Sequence, residues 1–403
     1  MTMDLEALRE LKNEADTKVV LLVLDGLGGA PFRQIGPTEL EKAATPNLDR
    51  LAVRSVCGLH EPVAPGITPG SGPGHLALFG YDPLRYRVGR GVLSALGIGF
   101  DLTDRDVAAR GNFATIDADG RVEDRRAGRI PTERNRELVE ILREIELPGV
   151  EVHVETVREY RFLLVLRGDG LSGEVRDTDP QEVDEAPLDP EPAEPDAERT
   201  AELVARFVDE ARERLADHRP ANGLLLRGFS KRPSWPSFPD VWGVRAAAVA
   251  EYPMYRGVAR LVGMEVLDSP ESTPEKLDLV AERWEEFDFF FVHVKPMDSA
   301  GEDGDFERKA RLIGEVDGHV PRLLDLGPDV LLVTGDHSTP ATLRYHSWHP
   351  VPVLLYSPRC RPDRVERFGE RACLAGALGP RFPGRSLMPL AMAHAGRLGK
   401  YGA

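Results

Sequence analysis

Cysteine is nearly absent. Three residues, Cys57, Cys360 and Cys373, stand far apart among 403 and share no metal-type spacing. That density leaves neither a disulfide framework nor a thiolate zinc site to expect, and it fits a reducing compartment. Positive charge is also short, with 51 Lys and Arg against 67 Asp and Glu and a net charge of −16. Nonspecific attraction to nucleic acid or to an anionic membrane is thereby excluded, and any anionic ligand must be met by locally gathered cations. No apolar run reaches membrane-spanning length, and residues 1–16, "MTMDLEALRELKNEAD", are charged and helix-like with no apolar signal core. Neither export nor membrane insertion is expected, and a cytoplasmic location is. No internal repeat is present.

What the chain does have is 41% apolar residues, enough for a sizeable core in two or three domains. The run "KVVLLVL" at 18–24 is unbroken and rich in β-branched residues, which suits a strand buried on both faces of a parallel sheet. "FDFFFVHV" at 287–294, "DVLLVTG" at 329–335 and "VPVLLYS" at 351–357 repeat the pattern. Helical patterns lie between them, such as "TPEKLDLVAERWEEF", where Thr273 is expected to cap and Pro274 to begin the helix. Strand alternating with helix predicts an α/β layered sheet.

The middle of the chain differs. Shorter strand candidates, "NFATID", "VEVHVE", "RFLLVLRG" and "GLLLRGF", mix with helices expected over 132–146 and 198–217. This predicts a smaller α+β insert at 101–240, between core segments 1–100 and 241–403. The acidic, proline-rich piece at 182–198 reads as a solvated loop within it.

Asp25 directly ends the first buried run, Asp336 and His337 end the third, and Asp298 follows the second by four residues. Carboxyl ends of parallel strands share one edge, where ligands bind. Any one such aspartate reads equally as a loop cap. Three gathered carboxylates would repel one another unless protonated or bridged by cations, and metal binding is the simpler account. His346 lies near the same strand end, with His349 as its competitor; His337, beside Asp336, is the stronger candidate.

Ser71 sits in "GITPGSGPGHLALFGYDP", with glycines at 70, 72 and 74 and a helix beginning beside it. It is either an ordinary helix cap or an anion-carrying nucleophile held among free backbone N–H groups.

Together "LLVLDGLGGAP", "TPNLDRLA", "PGITPGSGPGHLALFGYDP", "NFATID", "RRAGRI", "DTDP", "LLRG" and "VTGDHSTPATLRYHSWHPVPVLLYS" resemble the archaeal-type, cofactor-independent phosphoglycerate mutases of the alkaline phosphatase superfamily. The match runs in order from about residue 18 to the end. The resemblance implies an alkaline-phosphatase-like, mostly parallel sheet flanked by helices, with the insert as a lid. It implies interconversion of 3-phosphoglycerate and 2-phosphoglycerate without bisphosphoglycerate, through a phosphoserine intermediate and two divalent metals. Ser71 would be the nucleophile. One metal would be held by Asp25, Ser71, Asp336 and His337, and the other by Asp298, Glu302 and His346. His75, Arg126, Arg129 and Lys295 would contact substrate. Where the family has Asp-x-x-x-His, this chain has Asp298-Ser-Ala-Gly-Glu302; the harder ligand set favours manganese or magnesium over zinc. The expected partner is a phosphoglycerate, with no nucleic acid and no membrane, and a homo-oligomer is left open. A metal-dependent phosphatase or phosphotransferase of the same superfamily, or a catalytically silent relative, are the alternatives.

Overall fold

A computed structural model describes residues 4–32 and 35–402. Strands β1 (Val19–Leu24) and β2 (Ser55–Glu61) come first. Five follow, β3 (Asp106–Ile116), β4 (Val122–Asp124), β5 (Glu151–Arg158), β6 (Arg161–Arg167) and β7 (Gly223–Ser230). Then come β8 (Ala246–Val249), β9 (Glu265–Val266), β10 (Phe289–Val294), β11 (Val330–Thr334), β12 (Val351–Tyr356) and β13 (Gly379–Pro383).

The chain divides into two units, Met1–Arg87 with Trp235–Ala403, and Val88–Ser234. In the larger unit eight strands form one sheet in the order β13-β2-β12-β11-β1-β10-β8-β9. The predicted apolar runs occupy its centre: β1 pairs in parallel with β10 on one side and β11 on the other. Every residue of all three is buried, because helices cover both faces. On one face Val20, Leu22, Phe290, Val292, Leu331 and Val333 build the main core. The fourth run, β12, is antiparallel to both β11 and β2. In the central register Val23 stands beside both His293 and Thr334, so the three strands end level and their following residues emerge along one edge. The helix after β9 spans Thr273–Glu282 and its cap is Ser272, whose side chain accepts from the Glu275 amide; Thr273, expected to cap, is already helical.

The smaller unit is an antiparallel sheet, β4-β3-β6-β5, with β7 on the other side of β3. Helices Thr132–Arg143 and Glu198–Leu215 pack on it through Leu138, Val139, Leu142, Val204 and Phe207. The helix Arg90–Ile98 belongs to this unit as well, seated so closely on β3 that a Cβ on Gly91 would come within 2.1 Å of the Ala108 carbonyl oxygen. Among the described residues no helix is long and apolar enough to cross a membrane.

Candidate active site

The level ends of β1, β10 and β11 determine what meets at the sheet edge. Asp25 follows β1 directly; Lys295 caps the helix Pro296–Asp303 after β10 and puts Asp298 in its first turn; Asp336 and His337 follow β11. Two clusters result, Asp25 with Asp336 and His337, and Asp298 with His337 and His346. His337 belongs to both.

Hydrogen bonding fixes how His337 is used. Thr339 Oγ1 donates to Asp298 Oδ1 at 2.9 Å, so its lone pair accepts the proton of His337 Nδ1 at 3.0 Å. The bare Nε2 then faces Ser71 Oγ at 3.3 Å, Asp336 Oδ2 at 3.1 Å and Asp25 Oδ1 at 3.4 Å. Burial, followed by His346, holds the His337 pKa well below the ordinary range, so the ring is neutral. His346 Nδ1 donates to the Pro69 carbonyl at 2.9 Å, turning Nε2 toward Asp298 Oδ1 at 3.6 Å, and its ring stacks on His337 at 3.6 Å.

A neutral imidazole lone pair facing carboxylate oxygens is repulsive unless a proton or a cation lies among them. Asp25 Oδ1 and Asp336 Oδ2 are buried without a hydrogen-bond partner, an expensive arrangement for carboxylates. Burial, then Asp25 and Asp298, raises the Asp336 pKa well above the usual carboxylate range. Burial opposes ionisation of Asp25 too, but Lys295, His293 and His337 outweigh it and hold its pKa well below normal. This donor set, carboxylates with imidazole Nε2 atoms oriented by hydrogen bonds at Nδ1, fits divalent cations.

Ser71 is the first residue of the helix Ser71–Leu78, whose cap is Gly70. The hydroxyl is therefore not spent on capping and points at His337. His75, one turn on, is completely buried; its Nδ1 donates to the Ser71 carbonyl at 2.8 Å and lies 3.3 Å from Asp336 Oδ2. Burial, then His293, lowers its pKa to about 3. In this arrangement His75 supports the nucleophile's backbone from below and offers no surface to a substrate. Lys295 Nζ bridges Asp298 Oδ2 at 3.1 Å and Asp25 Oδ2 at 3.5 Å. Burial would lower its pKa, but Asp25 and Asp298 outweigh that and the ammonium stays charged. Glu302, one turn beyond Asp298 on the same helix, is solvent-exposed and not in either close cluster, but it feels the same charges: desolvation and then Asp298 raise its pKa, with Lys295 and His346 pulling the other way. His349 also lies outside both clusters.

Sequence reasoning missed three residues that touch these ligands. Tyr255 donates its hydroxyl to Asp25 Oδ2, and the His293 ring lies tilted against Tyr255, centroids 3.8 Å apart, with Nε2 3.4 Å from the same oxygen. Thr339 is the third. Only His293 carried a signal, as the one ionisable residue within the fully buried strand Phe289–Val294.

In the smaller unit Arg126 and Arg129 are exposed on a turn in which Asp124 accepts from the Arg126 and Gly128 amides. The same unit brings Arg90, Arg161 and Arg227 close enough to Arg110 that burial and then these neighbours lower the Arg110 pKa to about 9. Asp177 and Asp179 lie 3.5 and 3.4 Å from Arg227, and Arg125 grips Asp179 with two hydrogen bonds.

The family model described as 2,3-bisphosphoglycerate-independent phosphoglycerate mutase matches residues 52–222. A Thermus thermophilus protein named as a probable 2,3-bisphosphoglycerate-independent phosphoglycerate mutase is 54% identical over 407 residues, covering 100% of each chain. A solved Pyrococcus horikoshii structure is 33% identical with a TM-score of 0.83, over 98% of this chain and 100% of that one. The cofactor-independent phosphoglycerate mutase of Thermoplasma acidophilum is 32% identical with a TM-score of 0.70, over 94% and 100%.

Proposed function

The chain belongs to the 2,3-bisphosphoglycerate-independent phosphoglycerate mutases, and from that premise we propose that it interconverts 3-phosphoglycerate and 2-phosphoglycerate by passing the phosphoryl group through Ser71. The observation that carries the reading is the Ser71 hydroxyl, free of capping duty and directed at the imidazole shared by both ligand clusters.

Asp25, Asp336, His337 and Ser71 would hold one divalent cation through the single free lone pair of His337, and Asp298, Glu302 and His346 would hold the other, manganese or magnesium by the hardness of the donors. When bound they supply charge neutralisation at the phosphoryl oxygens and favour the Ser71 alkoxide. Glu302, one helical turn beyond Asp298 and under the electrostatic influence of Asp298, Lys295 and His346, would be a ligand of the second cation.

Ser71 Oγ forms its bond to phosphorus as the bond to the substrate's 3-oxygen breaks, leaving phosphoserine and glycerate. The 2-hydroxyl of the retained glycerate then takes the phosphoryl group and Ser71 is regenerated. His75 fixes the backbone under the nucleophile through the Ser71 carbonyl, so the attacking oxygen is positioned before substrate arrives. The permanently charged Lys295 adds positive potential beside Asp25 and Asp298, where phosphoryl negative charge would otherwise be repelled. Glycerate must be held between the two transfers while water is excluded, and its carboxylate calls for guanidinium groups. Arg126 and Arg129, and the arginines around Arg110, are the smaller unit's candidates for that task.

The test follows 3-phosphoglycerate by phosphorus NMR with manganese and no bisphosphoglycerate. Appearance of 2-phosphoglycerate is expected, with Ser71→Ala losing at least ~10³-fold. Accumulation of inorganic phosphate alone would select a hydrolase, and wild-type turnover by Ser71→Ala would remove the covalent intermediate. Replacing both Arg126 and Arg129 by Ala should raise KM for 3-phosphoglycerate; an unchanged KM and kcat would take them out of the substrate site.

A further inference from the structure

A lysine without any solvent exposure lies behind the site. Lys309, on the helix Phe306–Asp317, is completely buried, and its Nζ donates to the Gly28 carbonyl at 2.9 Å and the Thr339 carbonyl at 2.8 Å. Gly28 lies on the loop that begins with Asp25, and Thr339 on the loop that begins with Asp336 and His337. One ammonium thus joins the two ligand-bearing loops.

Glu39 is equally buried and joins the same loops with the opposite charge: Oε1 accepts from the Ala341 amide at 2.7 Å and Oε2 from the Ala30 amide at 3.1 Å. The loops are also in direct contact, the Thr339 amide donating to the Gly28 carbonyl at 3.0 Å. The fit leaves no slack. A Cβ on Gly29 would fall 2.0 Å from Glu39 Oε2, and one on Gly301, in the Asp298 helix, 2.2 Å from the Thr339 carbonyl oxygen.

Burying an amine and a carboxyl group is costly, burial drawing the Lys309 pKa down against the pull of Glu39, and two apolar side chains would fill the space at less expense. What the charged pair adds is direction: carbonyls are drawn to one point and amides to another. Fixing the Thr339 carbonyl fixes its hydroxyl, the group that donates to Asp298 and accepts from His337.

We propose that Lys309, together with Glu39, is a positioning pair that sets the spacing of Asp25, Asp298 and His337 and thereby the divalent-cation affinity of the site. The inference rests on the reading that these clusters hold cations. Neither residue touches a reacting atom.

The test titrates MnCl₂ into the metal-free full chain by calorimetry, comparing wild type with Lys309→Met and Glu39→Gln. Affinity for Mn²⁺ is expected to fall about 10- to 100-fold in each, as for partners that orient metal ligands. At saturating Mn²⁺, kcat should fall while KM for 3-phosphoglycerate stays put. In the metal-free state the Thr339 amide of Lys309→Met should exchange with deuterium faster than in wild type, and Lys309→Arg, which keeps the charge, should recover part of the Mn²⁺ affinity. A purely structural lysine would lower the thermal midpoint equally with and without Mn²⁺ and leave the affinity unchanged; that result overturns the proposal. Should Lys309→Met not fold, Glu39→Gln decides by the same criterion. A wild-type chain that binds no Mn²⁺ would overturn the cation reading and this inference with it, whereas wild-type Mn²⁺ affinity in both variants overturns this inference alone.

Discussion

Gly74 offers the sharpest perturbation of the nucleophile's placement. It lies one turn along the Ser71 helix, and a Cβ built there would sit 2.4 Å from the Asp336 carbonyl oxygen, 3.1 Å from the Asp336 carbonyl carbon and 3.3 Å from its Cβ. Ordinary contact begins near 3.4 Å, so Gly74→Ala requires the helix and the Asp336 loop to part by about 1 Å. Those two pieces carry the two ends of the Ser71 Oγ to His337 Nε2 contact, now 3.3 Å, and of the His75 to Asp336 contact, also 3.3 Å. A displacement of that size is worth ~10²-fold in turnover when it misaligns reacting groups. The overpacking itself should cost about 1–3 kcal/mol of stability. Gly70→Ala is the control, since its nearest neighbour would be Pro73 Cδ at 3.8 Å; it should stay within about threefold of wild-type kcat and lose less than about 1 kcal/mol. Initial rates from phosphorus NMR at saturating 3-phosphoglycerate, with urea unfolding on the same samples, give both quantities. A folded Gly74→Ala protein with kcat within threefold of wild type would refute the claim that close approach of this helix positions Ser71.

His60 Nε2 lies 3.0 Å from Thr334 Oγ1 and 3.1 Å from the Gly335 carbonyl, and burial lowers its pKa to about 4 against the opposing pull of that carbonyl. The unfolded chain therefore binds a proton near pH 6.5 that the folded chain refuses, so stability held above pH 6.5 drains away as pH falls toward 4, by about 3 kcal/mol over the full window; His60→Gln should flatten the urea-derived stability profile by that amount, and parallel profiles would reject the assignment. Tyr255→Phe removes the hydroxyl donated to Asp25 Oδ2, leaving Lys295 at 3.5 Å and His293 at 3.4 Å to orient that carboxylate. Manganese affinity should drop about 10-fold and turnover should recover at high manganese; an unchanged manganese dependence would mean that Tyr255 only fills space.

The divide between what the sequence disclosed and what it hid follows the way each residue is delivered to its place. Asp25 and Asp336 were legible because a strand buried on both faces must be an unbroken apolar run, and the first polar residue after it must emerge at the sheet edge. Asp298 was legible by the same route, one helical turn later. Tyr255 and Thr339 reach the site through tertiary contacts that leave no periodic trace, whereas His293 left one that went unused, an ionisable side chain inside the run that made β10 recognisable. Arg110 belonged to no run at all: it takes its meaning from Arg90, Arg161 and Arg227, which the β3–β6 and β3–β7 pairings help to assemble. Glu302 was legible from its spacing rather than from a strand end. Its spacing from Asp298 puts both on one helical face one turn apart, the spacing at which two side chains of one helix can reach the same ion. Its carboxyl feels the charges of Asp298, Lys295 and His346, so the turn that separates it from Asp298 does not carry it away from the cluster, although the helix stops two residues later at the left-handed Gly304.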